Sequence, residues 1–199
     1  MANINESAFE VRVSNHEFDS VANITGLYQN SSDAEEICAA GFLCVRDALA
    51  QNVGYPSGVL NGNTWIMNAA SSGVDASTPV YACNTFNVNE LTDATTGEVY
   101  KVNGNTLGLA IPAGKFGTFT KIDFSGDRIY RFGVGNAGGS TAIGSNTFFT
   151  ISNGMLVPAS TAPTNNGDVY FELVGSGTFT QGAWAAFGYI DLQAKHVVA

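Results

Sequence analysis

Apolar and polar residues alternate at every second position along several segments of the chain, and turn signals separate those segments. In residues 8–14, Phe9, Val11 and Val13 would lie on one face of a strand. Period two is the spacing of a strand with one buried face, because successive side chains point to opposite sides of a sheet. The pattern therefore predicts a fold built from half-buried strands. The same alternation predicts strands at 116–124, 128–134, 169–174 and 183–192.

Turn residues join these segments. Asn103-Gly104 and Asn153-Gly154 are predicted to form type I′ hairpin turns, because both central residues of that turn need positive φ. Asn61-Gly62 and Asn166-Gly167 are further candidates, and Ser125-Gly126-Asp127 is predicted to turn the chain between two strands. Short strands joined in this way indicate an all-β fold, an antiparallel β-sandwich or β-barrel. We expect one domain over 1–199, with a possible inserted sub-domain at about 50–97.

The one helical candidate lies near residues 33–50. Ser32 and Asp33 each begin a sequence that fits a capping box, and good helix formers follow at 48–50. However, residues 37–45 are almost entirely apolar and include Gly41, which does not fit a one-sided helix. A short helical turn followed by a strand at 42–46 explains the sequence equally well. At most one short helix is predicted.

Charge is scarce in this chain of 199 residues. Eight Lys and Arg stand against 17 Asp and Glu, which gives a net charge of −9, and only 13% of residues are charged. A typical domain has about 25%. The negative charge argues against binding nucleic acid, whose phosphates attract Lys and Arg, and against an anionic membrane surface. We expect neither as a partner.

The first ten residues have no basic and apolar run of the kind found in a secretory signal. The odd number of cysteines, Cys38, Cys44 and Cys83, contains no C-x-x-C pair. We therefore expect three reduced and mostly buried thiols in a protein made in a reducing cytoplasm.

Sequence motifs for catalysis are weak. Residues 133–138 match G-x-G-x-x-G, but a dinucleotide site needs a helix there and an acidic residue about 20 positions later, and neither is predicted. The two histidines, His16 and His196, stand near no nucleophile or zinc-ligand pattern. We predict no catalytic, cofactor or metal residues and expect that the protein is not an enzyme.

Charged residues are absent from two long stretches. Residues 132–167, which are 36 consecutive positions, and residues 48–74 contain no Asp, Glu, Lys or Arg. The cores of protein interfaces are depleted of charge. The charge-free stretches therefore suggest surfaces that lie against another subunit.

The segment LGLAIPAGK at 107–115, the strand-turn-strand pattern of 116–133 and the sequence GDVYFEL at 167–173 with GAWAAFGY at 182–189 resemble decoration (cement) proteins of tailed bacteriophage heads. The resemblance covers about residues 98–192. It implies a non-enzymatic virion protein, made in the host cytoplasm, that binds the assembled shell of the major capsid protein. It also implies a homo-oligomer, with a trimer favoured.

Three groups of residues are the candidates for such an interaction. Ala2, Asn3, Ile4 and Asn5 would belong to an N-terminal arm over residues 2–7, and Gly135 and Asn136 to an uncharged loop at 135–145. A second uncharged loop is predicted at 158–166.

Other classes of protein remain open. Trp65 and Trp184 are aromatic candidates that would stack on sugars if exposed, although a place in the core is favoured. The alternatives are a carbohydrate- or receptor-binding module of a phage fibre, a tail-tube subunit, and a hydrolase with a pair of carboxylates.

Overall fold

The computed structural model of this chain describes residues 7, 9–12, 23–54, 64–84, 90–93, 99–101, 110–181 and 184–198. Most of these residues belong to strands. The strands are β1 (Phe9–Arg12), β2 (Asn23–Tyr28), β3 (Cys38–Ala39), β4 (Leu43–Leu49), β5 (Thr64–Ala69), β6 (Val80–Asn84), β7 (Glu90–Asp93), β8 (Val99–Lys101), β9 (Ala110–Ile111), β10 (Lys115–Lys121), β11 (Ser125–Gly133), β12 (Phe148–Ser152), β13 (Met155–Ala159), β14 (Val169–Gln181) and β15 (Trp184–His196). One helical turn, α1 (Ser140–Ile143), and 3₁₀ turns at Ala50–Val53 and Val134–Ala137 complete the description.

Five strands close into a ring. β2 pairs in parallel with β5, β5 pairs antiparallel with β4, and β4 pairs antiparallel with β6. β10 then pairs with β6 on one side and with β2 on the other, so that the last strand of the ring meets the first. The ring is therefore a small closed barrel, in which each strand has a neighbour on both sides. β7 and β8 extend the sheet from β10.

Alternate residues of all five ring strands point inward and form one buried cluster. The two-stranded pair of β3 and β9 adds Cys38 and Ile111 to this cluster. The interior is narrow, because a Cβ at Gly117 of β10 would overlap the side chain of Ile111. Glycine is required where another group approaches the strand so closely. The inward side chains of the ring strands include Tyr28, Cys44, Met67, Tyr81, Cys83 and Phe119.

A buried hydroxyl group reinforces the closure of the ring from its outer side. Thr120 of β10 is fully buried. Its Oγ1 donates to Oδ1 of Asn23 in β2 at 2.7 Å and accepts from Nδ2 of Asn84 in β6 at 2.8 Å. The three strands that meet at the closure are thus joined by side chains as well as by backbone, and the buried hydroxyl keeps its hydrogen bonds.

The second sheet has six strands in the order β1-β11-β15-β14-β12-β13, and all of its pairs are antiparallel. β14 and β15 have 13 residues each, which corresponds to about 40 Å at the usual rise per residue. In the described pairings, residues 184–188 of β15 pair with residues 178–181 of β14 and with no other strand. We call this two-stranded extension the ribbon.

The six-stranded sheet packs on the outside of the ring. Phe132, Phe171 and Leu192 from the sheet share one buried cluster with Leu43 and Val80 from the ring. The rings of Phe132 and Phe171 meet edge to face, with their centroids 5.7 Å apart. Each such side chain contributes about 1.5–3 kcal/mol when it is removed from water, so this cluster holds the two sheets together.

The tip of the β12–β13 hairpin also ties the sheet to the ring. The N–H of Gly154 donates to the carbonyl of Ala70 at 2.9 Å, and the N–H of Leu43 donates to the carbonyl of Gly154 at 2.8 Å. The ring of Phe42 lies against Gly154, where any Cβ would overlap it. Asn153 and Gly154 both have positive φ, at 48° and 73°, as a type I′ turn requires. The predicted Asn-Gly turn is confirmed, and it is also a joint between the sheets.

The all-β prediction is confirmed, and most of the predicted strands are present. Residues 8–14, 128–134, 169–174 and 183–192 correspond to β1, β11, β14 and β15. The strand predicted at 116–124 corresponds to β10, but both of its faces are buried, because Phe119 points into the ring. Gly167 has a φ of 89° just before β14, which agrees with a turn at that position.

Two details of the strand predictions are wrong. Ser125-Gly126-Asp127 does not turn the chain but lies inside β11, where the pairing with β15 shifts register between Ser125 and Ile129. The positive φ of Gly126, 90°, belongs to this bulge. The fold is also not purely antiparallel, because β2 and β5 are parallel and a long connection separates them.

Residues 32–52 contain no α-helix. They form β3, β4 and the beginning of the 3₁₀ turn at Ala50–Val53. The strand predicted at 42–46 is confirmed as β4, but the short helical turn predicted before it is absent, and β3 stands at Cys38–Ala39 instead. The side chain of Asn30 accepts hydrogen bonds from the N–H groups of Ser32 and Ala34 at 2.9 and 3.1 Å. Ser32 and Asp33, which resemble helix caps in the sequence, therefore lie in a turn that the side chain of Asn30 stabilises.

Two of the predicted turns and the domain assignment stay predictions. Asn61-Gly62 and Asn103-Gly104 lie outside the described residues. β5 and β6, which come from the stretch at 50–97, are members of the ring. Within the described ranges, no helix has the length and apolar character needed to cross a bilayer.

The joint at Gly154 leads to a first prediction. Replacing Gly154 by Ala should lower the free energy of unfolding by about 2–4 kcal/mol, because the new Cβ meets both the left-handed backbone penalty and the ring of Phe42. Gly167→Ala is the matched control, since Gly167 also has positive φ but open space around it. It should cost about 1–2 kcal/mol. Urea unfolding of both variants measures the difference, and equal losses would show that Phe42 does not constrain the hairpin tip.

Candidate functional site

The outer face of the six-stranded sheet carries a group of uncharged side chains where β12, β13 and β14 lie side by side. We call Phe148, Thr150, Val157, Tyr170 and Val174 the outer patch. Phe149, Ile151 and Leu156 are buried in the core, so the alternate positions of β12 and β13 must face away from it. Val157 and Val174 are 39% and 49% exposed, which makes them two of the most exposed large apolar residues in the described chain.

The register of the strands brings these side chains together. Thr150 pairs with Val157 across β12 and β13, and Phe148 pairs with Glu172 of β14. The rings of Phe148 and Tyr170 lie 6.2 Å apart, and both side chains are half-buried. Cross-strand neighbours of this kind stabilise each other on an open face. The result is a firm, partly apolar surface.

Two ion pairs accompany the outer patch. Glu172 lies within it, opposite Phe148 and between Tyr170 and Val174 on β14, whereas Arg131 and Asp191 lie on β11 and β15. Lys195 Nζ contacts Glu172 Oε2. Arg131 donates two parallel hydrogen bonds to the carboxylate of Asp191, both at 2.8 Å, and its guanidinium lies 3.7 Å from the ring centroid of Tyr189. Within these two pairs, each charge is matched by an opposite charge.

The structure explains part of the charge-free stretch at 132–167 by burial. The 3₁₀ turn Val134–Ala137 is buried, and Ile143, Phe149, Ile151 and Leu156 belong to the core cluster between the sheets. Core residues lack charge for reasons unrelated to any partner. The outward positions of β12 and β13 are different, because they lack charge although they face away from the core.

Gly135 and Asn136 do not form an exposed loop, so this part of the predicted interaction surface is wrong. Both residues are buried, and Asn136 is only 1% exposed. The amide Nδ2 of Asn136 donates to the carbonyl of Ala40 at 2.7 Å. Asn136 therefore supplies a structural hydrogen bond to the segment between β3 and β4, which explains a buried polar side chain.

Other candidate residues have different outcomes. Ala2, Asn3, Ile4 and Asn5 lie outside the described residues. Ser7, the last residue of the predicted arm, is fully buried and cannot belong to a free arm. The loop predicted at 158–166 begins within β13, and exposed positions dominate from Ser160 to Asn166.

Trp65 is not an open platform for a sugar. Its side chain is half-buried among the inward residues of the ring, and the guanidinium of Arg46 lies over the indole, 4.7 Å from the centroid. Arg46 also lies 5.6 Å from the ring of Tyr81. A cation already occupies one face of the indole. Trp184 is in β15, and its side chain is outside the described part of the structure.

The three cysteines lie inside the ring as free thiols, and the prediction that they are buried is confirmed. Cys83 Sγ donates to the carbonyl of Cys38 at 3.4 Å. Burial raises the pKa of Cys38 and Cys83 well above the ordinary value, and it also raises the pKa of Cys44. Thiols in this state are poor nucleophiles. Across the described residues, no group of three His, Cys, Asp or Glu side chains is arranged to hold a metal ion.

The outer patch was missed by the sequence reading. The signal was present, because the alternate outward positions of 148–152 and 155–159 carry no charge. The sequence could not show which strands would stand side by side. Comparison with protein-family models, with curated proteins and with solved structures finds no match for this chain.

The buried thiols lead to a second prediction, on stability at high pH. Because the folded state raises the pKa of these thiols, the folded protein keeps protons that the unfolded chain releases above pH 9.0, the ordinary thiol value. The free energy of unfolding should therefore be unaffected by these groups below that pH and should fall above it, by up to about 1.4 kcal/mol per pH unit for each thiol.

Urea unfolding at several pH values from 8 to 10 measures this slope. In the variant Cys83→Ala, the free energy of unfolding should fall less steeply with pH, because one of the three buried thiols is gone. This difference in slope does not depend on the absolute stability of the variant. A slope that is the same in both proteins would contradict the prediction. The raised pKa of Tyr130, about 12 because of its burial, adds to the fall only at still higher pH.

Proposed function

We propose that this protein is a non-enzymatic structural component of a virus particle, a decoration protein that binds the assembled shell of the major capsid protein. The outer patch on β12, β13 and β14 is the observation that carries the proposal. The protein would act as a homo-oligomer, with a trimer favoured, and would reside in the virion after synthesis in the host cytoplasm. Neither nucleic acid nor a membrane would be its partner.

The composition of the outer patch supports a role as an interface. Solvent-facing positions of a free sheet usually carry interspersed Lys and Glu, which keep the protein in solution. Here the outward positions of β12 and β13 are Phe, Thr, Ser, Met, Val and Ala. The centre of a protein interface is depleted of charge and enriched in aromatic residues and Met. The outer patch has this composition.

The edge of the sheet at β13 indicates that a partner would bind to the face of the sheet and would not add a strand to its edge. Strand β13 is the last strand of the six-stranded sheet, so one side of its backbone has no strand neighbour in the described pairings. Pro158 lies in this strand and has no N–H to donate. Proline in an edge strand opposes uncontrolled strand addition. A partner would therefore contact the face of the sheet through side chains.

Such a contact suits a protein that stabilises a shell. A ligand that binds the assembled shell and not its free subunits shifts the equilibrium towards assembly by mass action. A trimer would present three outer patches, and simultaneous contacts raise the overall affinity without strong individual contacts. A moderately apolar surface of modest size is sufficient for this purpose. This function requires no reaction centre.

The third prediction tests the outer patch. Val157→Asp should weaken co-sedimentation with shells assembled from the major capsid protein of the same virus by about tenfold or more, because a carboxylate would be buried unpaired at the contact. Val157 is exposed in the isolated protein, so the substitution should lower the free energy of unfolding by no more than about 1 kcal/mol, through the low strand propensity of Asp and the lost contact with Thr150.

Val53→Asp is the matched control, since Val53 is 51% exposed and lies in the 3₁₀ turn beside the ring strands. It introduces the same charge at a similar exposure away from the outer patch, and it should bind shells as the unchanged protein does. Equal weakening by both substitutions would point to general charge repulsion. Strong shell binding by Val157→Asp would contradict the proposed surface.

The carbohydrate-binding alternative has less support. Arg46 covers the indole of Trp65, whereas a sugar-binding platform needs an uncovered aromatic face. Binding of the isolated protein to a glycan array, with quenching of tryptophan fluorescence, would nevertheless favour that class over the capsid one.

A further inference from the structure

A cleft of about 490 Å³ lies at the seam between the ring and the six-stranded sheet. Its walls come from four parts of the chain that are distant in sequence. The loop at residues 76–79 precedes β6, Lys121 ends β10, residues 122–124 connect β10 to β11, and His196 ends β15. Ser125 and Arg128 of β11 complete the lining. The cleft is therefore lined by residues of both the ring and the six-stranded sheet.

The charge of this cleft is opposite to that of the protein. Lys121 and Arg128 are two of only eight basic residues in a chain of net charge −9, and His196 is one of its two histidines. The lining contains one carboxylate, Asp123. The lining itself therefore carries two cations, one carboxylate and an imidazole, and the carboxylates of Asp75 and Asp127 lie next to it, where they hydrogen-bond Ser77 and Ser125. A concave site concentrates the potential of the charges that line it.

Intramolecular contacts fix the cationic groups in place. Arg128 Nε lies 3.8 Å from Asp123 Oδ2, and the guanidinium also hydrogen-bonds the hydroxyl of Tyr130. That hydroxyl accepts from the N–H of Asp123 at 2.8 Å. Arg128 has an exposed side-chain fraction of only 14%, so it is held at the base of the cleft. A planar guanidinium fixed in this way is the usual partner of carboxylate or phosphate oxygens.

The histidine and the nearby carboxylates are also oriented by the protein. His196 Nδ1 lies 2.8 Å from the carbonyl oxygen of Phe124, an acceptor, so Nδ1 carries the proton. Asp123 Oδ1 accepts from the N–H of Ser125 at 3.0 Å, and Asp75, outside the lining, accepts from the N–H of Ser77 at 2.9 Å. Both carboxylates are therefore satisfied by donors of the protein. Asp123 also lies beside Arg128, so a bound oxyanion would share this guanidinium with the carboxylate of Asp123.

We infer that this cleft binds a small organic anion, with a phosphate or carboxylate group placed against Lys121 and Arg128 and beside His196. The volume falls in the range of about 300–1,000 Å³ that is typical of small-molecule sites. Pro79, Ile122 and Phe124 supply apolar lining on which an organic body can rest. The inference does not depend on the proposed binding to a shell, because the cleft and the outer patch are made of different residues.

Calorimetric titration of the isolated protein near neutral pH tests this inference with three probes: inorganic phosphate, phenyl phosphate and benzoate. Phenyl phosphate should bind with a dissociation constant below about 10 mM and more tightly than inorganic phosphate. The ring signals of His196 in nuclear magnetic resonance spectra should shift on binding. Benzoate tests which oxyanion the cleft prefers. A site for carboxylates would bind benzoate at least as tightly as phenyl phosphate, whereas a site for phosphates would bind it more weakly.

Matched substitutions locate the binding. Lys121→Gln should weaken phenyl phosphate binding by about fivefold or more, because it removes a charged donor. Lys195→Gln is the control. Lys195 lies next to His196 in β15, but its side chain points to the outer face of the sheet, so its loss should change the affinity less than about twofold.

Three results would overturn the inference. The first is the absence of binding by phenyl phosphate and benzoate at the highest concentrations that can be tested. The second is equal weakening by Lys121→Gln and Lys195→Gln, which would show a general charge effect. The third is inorganic phosphate that binds as tightly as phenyl phosphate, which would show that no organic body is recognised.

Discussion

The double pairing of β10 is the constraint on which the rest of this structure depends. One strand forms hydrogen bonds with β6 and with β2, and this closes five strands into a ring. A ring of so few strands has a narrow interior, so the inward positions include three thiols and Gly117, which leaves room for Ile111. The same closure turns Leu43 and Val80 outward, where they need a cover. The six-stranded sheet is that cover.

The two candidate surfaces follow from how the sheet lies on the ring. Where the six-stranded sheet contacts the ring, the inner sides of β11, β14 and β15 are buried, and their outer sides face away from the ring. The outer patch is on that outer side. At one place along this contact a cleft remains, and residues of both the ring and the six-stranded sheet line it. The patch is an open face of a sheet, which suits contact with a macromolecule, whereas the cleft has the volume of a small-molecule site.

Much of the strand content could be predicted from sequence, because period two and Asn-Gly pairs are local signals. The turn at Asn153-Gly154 is an example, since its two positive φ angles depend on those two residues. Long-range pairing was less accessible. The sequence could not show that β2 and β5 would be parallel neighbours. Nor could it show that Asn136, a polar residue in a glycine-rich segment, would be buried to satisfy the carbonyl of Ala40.

The ribbon formed by the far ends of β14 and β15 has a mechanical consequence. Its strands are continuous with the part of β15 that pairs with β11 and with the part of β14 that pairs with β12. A pull on the ribbon along its length would be transmitted through the covalent backbone to the centre of the sheet. There it would load many hydrogen bonds at the same time in shear, since these bonds run perpendicular to the strands. The ribbon would therefore pass a mechanical load to the central strands of the six-stranded sheet.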